Sequence, residues 1–443
     1  MWLKKKNRSE KEDAFYFTER WLNDWKSSLR SDENYRKKGS NWNAPVLLRV
    51  DPPIPKMKEA GTIGFFLDLK YGECKQMRFA TERDVDKSDV VLSADPPTWI
   101  RLIEGRKDPT LFIMKGSLKL EKGSLVMLSM QKEAAQALLA TAPSKQKSAV
   151  DNTVPSEAVT TFEKNGSSKQ FSTVTRGIDH ESYPMRLFQK AKHFGIWDPV
   201  QISLEKDRRD WSGLEEDEKT ILLHLTSLFM AGEEAVTVDL LPLIQTVASE
   251  NRIEEEIFLT SFLWEEAKHT EFFSRFVNEV IEGNPDFESF HAPLYKKLFY
   301  DRLSHDLQRL KVDNSPIAQL KASGTYNMVV EGTLAETGYE AYYRMLEEYD
   351  LMPGLREGIT KLKQDESRHI AFGIYFINRL LKENPELKTA FEDHLEELLD
   401  MATGVIHEIF EPYEVVPFGL EKEWFLNYAV KQFQHRIHKL GLN

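Results

Sequence analysis

Two short runs carry most of the chemistry this chain can offer: Glu266-Ala267-Lys268-His269 and Glu366-Ser367-Arg368-His369. Each is a Glu-x-x-His. Residues three apart on a helix share a face, so each copy aims a carboxylate and an imidazole at one point. One such pair cannot enclose a metal ion. Two facing helices can, if two further helices each add an inward Glu, which completes a four-carboxylate, two-histidine cage for two ions. Glu233 lies in the helical run ahead of the first copy and Glu331 in the run ahead of the second. The order is therefore Glu, Glu-x-x-His, Glu, Glu-x-x-His. A third match, Glu288-Ser289-Phe290-His291, sits between Asn284-Pro285 and Pro293, where helical periodicity breaks. It is expected at the surface, without a metal role.

Buried carboxylates are costly unless paired or bound to cations, so the cage implies divalent or trivalent ions. The single cysteine, Cys74, excludes thiolate sites. With oxygen ligands dominant, Fe and Mn are favoured over Zn and Cu. Chain order assigns Glu233, Glu266 and His269 to one ion and Glu331, Glu366 and His369 to the other, with Glu266 or Glu366 free to bridge. Two bridged redox ions can pass electrons to O2, but an iron-storing ferroxidase uses the same ligands, so the ligands alone do not name the reaction.

At 443 residues the chain is too long for one ordinary core. Its formal charge of -12 argues against broad nucleic-acid binding and against adhesion to an anionic membrane. One cysteine allows no internal disulfide, which fits a reducing cytoplasm. Met1-Trp2-Leu3-Lys4-Lys5-Lys6 begins basic, but polar residues follow where a signal peptide needs an apolar stretch. No run is read as reaching the roughly eighteen apolar residues of a transmembrane helix. A cytoplasmic protein is expected.

The elements that must position these residues fall in the second half. Helical runs are predicted at about 214–249, 253–281, 292–310, 317–348, 355–382, 386–410 and 421–440, with Ser212-Gly213-Leu214-Glu215 as a capping box. Gly283-Asn284-Pro285, Pro353-Gly354 and Asn384-Pro385 punctuate them. The recurrence of Glu then Glu-x-x-His suggests two helix pairs packed face to face in a ferritin-like bundle. Before it, Ser182-Tyr183-Pro184 and Trp197-Asp198-Pro199 read as an extended approach. Residues 143–176, rich in Ser, Thr, Lys and Gln, read as a flexible linker.

The first 142 residues follow another rhythm. After an amphipathic helix around 15–29, period-two runs at 45–50, 62–69, 74–80, 90–93 and 116–123 predict strands. Asp95-Pro96-Pro97 opens a short helix, Asp108-Pro109 starts a short turn, and 132–139 closes the region as a helix. The stretch from Asp95 to Gly105, with Asp108-Pro109-Thr110-Leu111-Phe112-Ile113-Met114-Lys115-Gly116 and the strand into Val126-Met127-Leu128, resembles the sterol carrier protein 2 domain. That resemblance implies a cavity for an acyl or sterol-like ligand, with Phe65, Leu67, Trp99 and Phe112 as candidate lining. The fold class is thus α+β multidomain: a small α/β lipid-binding domain at 1–142, a linker at 143–176 and an all-α ferritin-like domain at 177–443.

From about Tyr183 onward the chain resembles the ribonucleotide reductase small-subunit superfamily, and within it the R2-like ligand-binding oxidases. The residues are Ala231-Gly232-Glu233-Glu234-Ala235-Val236, Trp264-Glu265-Glu266-Ala267-Lys268-His269, Tyr326-Asn327-Met328-Val329-Val330-Glu331-Gly332 and Asp365-Glu366-Ser367-Arg368-His369. The resemblance implies a heterodinuclear Mn/Fe centre, with di-iron as the variant, assembled with O2. It implies a long-chain fatty acid over the metals and an ether cross-link between Tyr326 and Val236. Matching the motif puts Val236 three residues after the ligand, which selects Glu233 over Glu234. A homodimer is expected, with an electron donor the sequence does not identify.

Two further readings compete with an oxidase acting on a lipid-like substrate. A ribonucleotide reductase radical subunit is expected to carry a flexible aromatic tail beyond its last helix, and this chain stops at His438-Lys439-Leu440-Gly441-Leu442-Asn443. Lipid binding or ferroxidase activity without substrate oxidation is the other.

Overall fold

The alternating stretches form a mixed sheet in the computed structural model, which describes residues 15–105, 108–145 and 171–442. Its strands are β1 Asn43–Val50, β2 Gly64–Lys70, β3 Glu73–Ala80, β4 Val90–Ala94 and β5 Lys119–Lys122, in spatial order β3-β2-β1-β4-β5. All neighbours are antiparallel except β1 and β4. Asp95 accepts from the Thr98 N–H at 2.8 Å and opens the helix Pro96–Gly105, and Asp108 does the same for Pro109–Met114. The first described helix, Glu19–Ser31, starts at its Thr18 cap and lays Trp21 and Trp25 against Phe65 of β2.

Trp42, Val46, Leu48, Leu92, Trp99 and Leu138 are among the residues lining a small cavity between sheet and helices. Of the four residues expected to line this cavity, Trp99 does. Phe65 is covered by the two tryptophans, and Leu67 and Phe112 are buried outside the cavity wall. Alternation identifies a face of the sheet; it does not say which part of that face a helix will cover.

The chain divides into two units, one within residues 1–155 and one within 156–442. Most of the predicted linker lies outside the described residues. Its described end forms a short helix, Ser172–Thr175, and Arg176 pairs with Glu254 at 2.7 Å.

The second unit is built of helices. The segment read as an extended approach contains the helix Tyr183–Phe194, because Pro184 fits the first turn, where its missing N–H costs nothing. Helix α1, Glu216–Asp239, begins with a capping box between Glu215 and Glu218; Ser212 and Gly213 instead complete the preceding helix, Glu205–Gly213. The run predicted through 249 breaks at Leu240, after which Pro242 sits in the first turn of Leu241–Ser249. By length and composition Glu216–Ser249 is apolar enough to cross a membrane, contrary to the sequence reading. Yet 56% of its apolar window is buried inside the unit, and Glu233 on it points inward.

Helices α2, Ile253–Val280, and α3, Pro353–Glu383, carry the two Glu-x-x-His copies. Glu254, Glu255 and Glu256 occupy the first turn of α2, where negative charge complements the helix dipole. The runs at 292–310 and 317–348 are not uniform α-helix: Lys297–Leu303 and Gly324–Ala335 are π-helical. A one-residue insertion of this kind leaves the apolar pattern helical, so periodicity does not reveal it.

Close approach of α2 and α3 depends on Gly358, where a Cβ would stand 1.9 Å from Cζ of the fully buried Phe272. Gly358→Ala is expected to lower the unfolding free energy by about 1–3 kcal/mol through overpacking, read as a lower denaturation midpoint with an unchanged denaturant slope.

Candidate metal centre

Four elements deliver the six expected side chains to one buried place. Glu233 comes from α1, Glu266 and His269 from α2, Glu331 from the π-segment Gly324–Ala335, and Glu366 and His369 from α3. None is more than 6% exposed. Their ligand atoms form two overlapping groups, Glu233-Glu266-His269-Glu366 and Glu266-Glu331-Glu366-His369, each gathered within 4.8 Å. Glu266 and Glu366 belong to both groups. Chain order had offered one or the other as a bridge, whereas the geometry suits both. Glu234 is exposed and takes no part.

Both imidazoles present Nδ1 to the cluster. His269 Nδ1 stands 3.2 Å from Glu233 and 3.4 Å from Glu366; His369 Nδ1 stands 2.9 Å from Glu266 and 3.7 Å from Glu331. The far nitrogens face carboxylates across the helix pair. His269 Nε2 lies 3.3 Å from Asp365, and His369 Nε2 lies 2.8 Å from Glu265. A carboxylate only accepts, so each Nε2–H donates outward and Nδ1 is left for a cation. Glu331 Oε1, Glu366 Oε2 and His369 Nδ1 are buried without a hydrogen-bond partner. Such orphaned atoms converging on one point fit an ion.

The residues that hold this shell were missed in the sequence. Arg368 donates to Glu265 at 2.6 Å and also to Asp365. Lys268 pairs with Asp365 at 3.2 Å and donates to the Gly195 carbonyl. The Trp197 indole N–H donates to Asp365 at 2.8 Å, and Asn327 donates to Glu331 at 2.9 Å. A signal was available: both copies read acid, Glu, any residue, base, His, from Glu265 to His269 and from Asp365 to His369.

Charge explains the protonation of the site. Glu233, Glu265, Glu266, Glu331, Asp365 and Glu366 are buried against only two buried fixed cations in the same network, Lys268 and Arg368. Burial, reinforced by Glu366, pushes the Glu331 carboxyl up to about 8. Burial likewise raises Glu233 well above the ordinary carboxylate range. For Glu266 burial acts in the same sense, but the two imidazoles beside it outweigh burial and hold the carboxyl low. Burial opposes charge on both rings, yet the neighbouring carboxylates, Glu233 for His269 and Glu366 for His369, prevail and raise them.

Tyr326 is fully buried, and its hydroxyl donates to Glu266 Oε1 at 3.0 Å. Burial, with the Glu266 charge, raises the phenol well above its usual range, so it remains a donor. Val236 is buried one turn after Glu233. Both line a cavity that reaches from the carboxylates to Ile409, Leu420 and Phe425. His291, expected at the surface, is buried instead: it bonds the Ser227 hydroxyl at 2.7 Å and the Tyr300 hydroxyl at 2.8 Å, and it belongs to neither ligand group.

Paired Glu-x-x-His helices with two further inward carboxylates define the ferritin-like class of dinuclear-metal proteins. Residues 185–443 match the family described as ribonucleotide reductase, small chain, and residues 22–134 match the SCP-2 sterol transfer family. Similar solved structures include a Tyr-to-Phe variant of an R2-like ligand-binding oxidase with aerobically reconstituted Mn/Fe cofactor. It is 38% identical at a TM-score of 0.60, covering 62% of this chain and 98% of that one. Another is such an oxidase with aerobically reconstituted metal cofactor after photoconversion, 37% identical at a TM-score of 0.59, with the same coverage. A Val-to-Ile variant with aerobically reconstituted Mn/Fe cofactor is 37% identical at a TM-score of 0.60, covering 61% of this chain and 99% of that one. The chain belongs to the ribonucleotide reductase small-chain family, and within it to the R2-like ligand-binding oxidases, which makes it a dinuclear-metal oxidoreductase with an SCP2 domain ahead of the catalytic bundle.

Glu265→Gln and Asp365→Asn, which release the outward imidazole nitrogens, are each expected to weaken Mn(II) or Fe(II) binding by about 10–100-fold in chelator competition. Ions must displace protons from Glu233, Glu331 and the two rings. Binding is therefore expected to release protons and to weaken as pH falls below about 8.

Proposed function

We propose that Glu233, Glu266, His269, Glu331, Glu366 and His369 hold a Mn/Fe pair, with di-iron as the competing occupancy. The proposed protein activates O2 beside a bound long-chain fatty acid or similar lipid and oxidises a lipid-like substrate by two electrons. One observation carries the lipid assignment: all four charged residues lining the large cavity, Glu233, Glu266, Glu331 and Glu366, belong to the ligand cluster, and its far end is aliphatic and aromatic. A molecule that fits has an anionic head to meet the ions and an apolar body. Two of the solved oxidases named above carry Mn/Fe cofactors, which supports the same pair here.

Bound in this cage, a redox pair supplies two-electron reduction of O2. The chain's own residues set the conditions. Glu266 and Glu366 belong to both ligand groups and would each serve both ions. Asp365 and Glu265 fix the imidazoles, and the apolar walls keep bulk water from the reacting groups. Tyr326 holds its proton toward Glu266 until oxidation removes it.

Tyr326 and Val236 are the proposed cross-linking pair. Joining the phenol oxygen to a side-chain carbon of Val236 breaks one O–H and one C–H bond, and O2 takes up the two electrons and two protons. The SCP2 domain is proposed to bind acyl lipid as well, and its tethering raises the local concentration of that lipid for the bundle.

After aerobic reconstitution of the full chain with Mn(II) and Fe(II), peptide mass spectrometry is expected to find the Tyr326 and Val236 peptides joined, with the loss of two hydrogens. Tyr326→Phe is expected to keep both metals and lose the bond. Unjoined peptides from fully metallated, oxygen-exposed protein overturn the cross-link. Glu366→Ala, which removes a ligand shared by both groups, is expected to lose both ions in elemental analysis.

A further inference from the structure

The π-segment that carries Tyr326 and Glu331 is gripped from outside by polar groups that the metal centre does not use. Thr325, the residue before Tyr326, is buried, and so are Asp306 and His394 beside it. Its hydroxyl donates to Asp306 Oδ2 at 2.6 Å and lies 3.0 Å from His394 Nε2. Asp306 comes from the helix Ser304–Gln308 and His394 from the helix Lys388–Phe410. Arg302, in the other π-helical stretch, ties these two together. Its Nε donates to the same Asp306 oxygen at 2.9 Å, and its Nη2 donates to His394 Nδ1 at 2.8 Å.

The proton positions follow from the partners. A guanidinium only donates and a carboxylate only accepts, so His394 Nδ1 is an acceptor and the single Thr325 hydroxyl proton goes to Asp306. The Nε2–H of His394 is left to donate to Thr325 Oγ1 and, at 3.1 Å, to the Lys321 carbonyl one turn earlier. Burial lowers the ring to about 4, which keeps it neutral, as this pattern requires.

Winding of the π type is uncommon and local, so the rotation of such a segment needs an outside hold. Consecutive helical side chains project roughly a quarter turn apart. Thr325 therefore meets Asp306 and His394 while Tyr326 meets Glu266. Any turn of the segment about its axis moves both, and the phenol oxygen, on the longer side chain, moves farther. Glu331 has separate support: Ser323 donates to Asn327 at 2.8 Å, and Asn327 donates to Glu331.

We propose that Thr325 is a positioning residue for Tyr326: Asp306 and His394 grip its hydroxyl from two other helices and so fix the rotation of the π-segment at which the phenol meets the carboxylate cluster. The inference rests on the cross-link reading above and adds the groups that aim its phenol.

The test follows the joining of the Tyr326 and Val236 peptides over time by mass spectrometry, in the full chain loaded with Mn(II) and Fe(II) and then exposed to O2. Thr325→Val keeps the branched shape but loses the hydroxyl. It is expected to hold both metals and to join the peptides at least about tenfold more slowly, since a misplacement of about 1 Å can cost about 100-fold. Thr325→Ser, which restores the hydroxyl, is expected to recover most of the wild-type rate. A merely structural role would lower the melting temperature of Thr325→Val and leave the rate per metallated chain unchanged. That result overturns the inference alone, as does a Thr325→Ser protein as slow as Thr325→Val. If Thr325→Val does not take up both metals, Asp306→Asn decides: slower joining at full metal content supports the grip, and a wild-type rate overturns it. A wild-type chain whose peptides never join overturns the cross-link reading and this inference together.

Discussion

Six carboxylates packed into a protein interior against two fixed cations cannot all remain ionised on their own. Everything around the candidate metal centre follows from this excess of negative charge. Protons cover part of it, which is why Glu233 and Glu331 are pushed up and both imidazoles hold their charge. Lys268 and Arg368 cover another part, each placed immediately before the histidine of its own helix. A pair of metal ions is the one addition that satisfies the remaining inward-facing oxygens and nitrogens at once, and it replaces the protons rather than joining them.

That demand constrains the backbone. Each histidine is fixed by an acid from the opposite helix, so α2 and α3 must pack closely and in register, and Gly358 against Phe272 permits the approach. The π-segment meets a second demand. In an α-helix of about 3.6 residues per turn, side chains five apart point to faces about 140° from one another. Hydrogen bonding from i to i+5 brings such residues nearer to one face, which lets both Tyr326 and Glu331 meet the cluster from one element. Wider winding exposes backbone polar groups, and Thr333 meets part of this by donating to the Met328 carbonyl.

Polarity in the large cavity is segregated. Charge is confined to the metal end and the remainder of the wall is mostly apolar, a division that suits the proposed amphiphile with a single anionic head. The smaller cavity of the N-terminal unit, with Trp42, Val46, Leu48 and Trp99 in its wall, carries no charged group. The SCP2 domain and the oxidase bundle thus both have apolar cavity walls, but only the bundle sets such walls against groups able to hold redox ions.

The amino-acid order determined the chemistry. Spacing of three between Glu and His, repeated on amphipathic runs with a lone Glu before each, was enough to name all six residues that converge, because helical periodicity is local and survives without knowledge of packing. The strands and most helix starts were legible for the same reason, through alternation and caps such as Asp95. Tertiary structure alone decided what depends on residues distant in sequence. It showed that Glu266 and Glu366 both face two groups, that Glu265 and Asp365 reach across to the other helix's histidine, and that His291 is buried in a different polar contact. It also decided that the segment after Ser323 winds as a π-helix and that Trp21 and Trp25, not a cavity, cover Phe65. These outcomes are set by which helices cross and how closely, a property of the packed whole that no local period encodes.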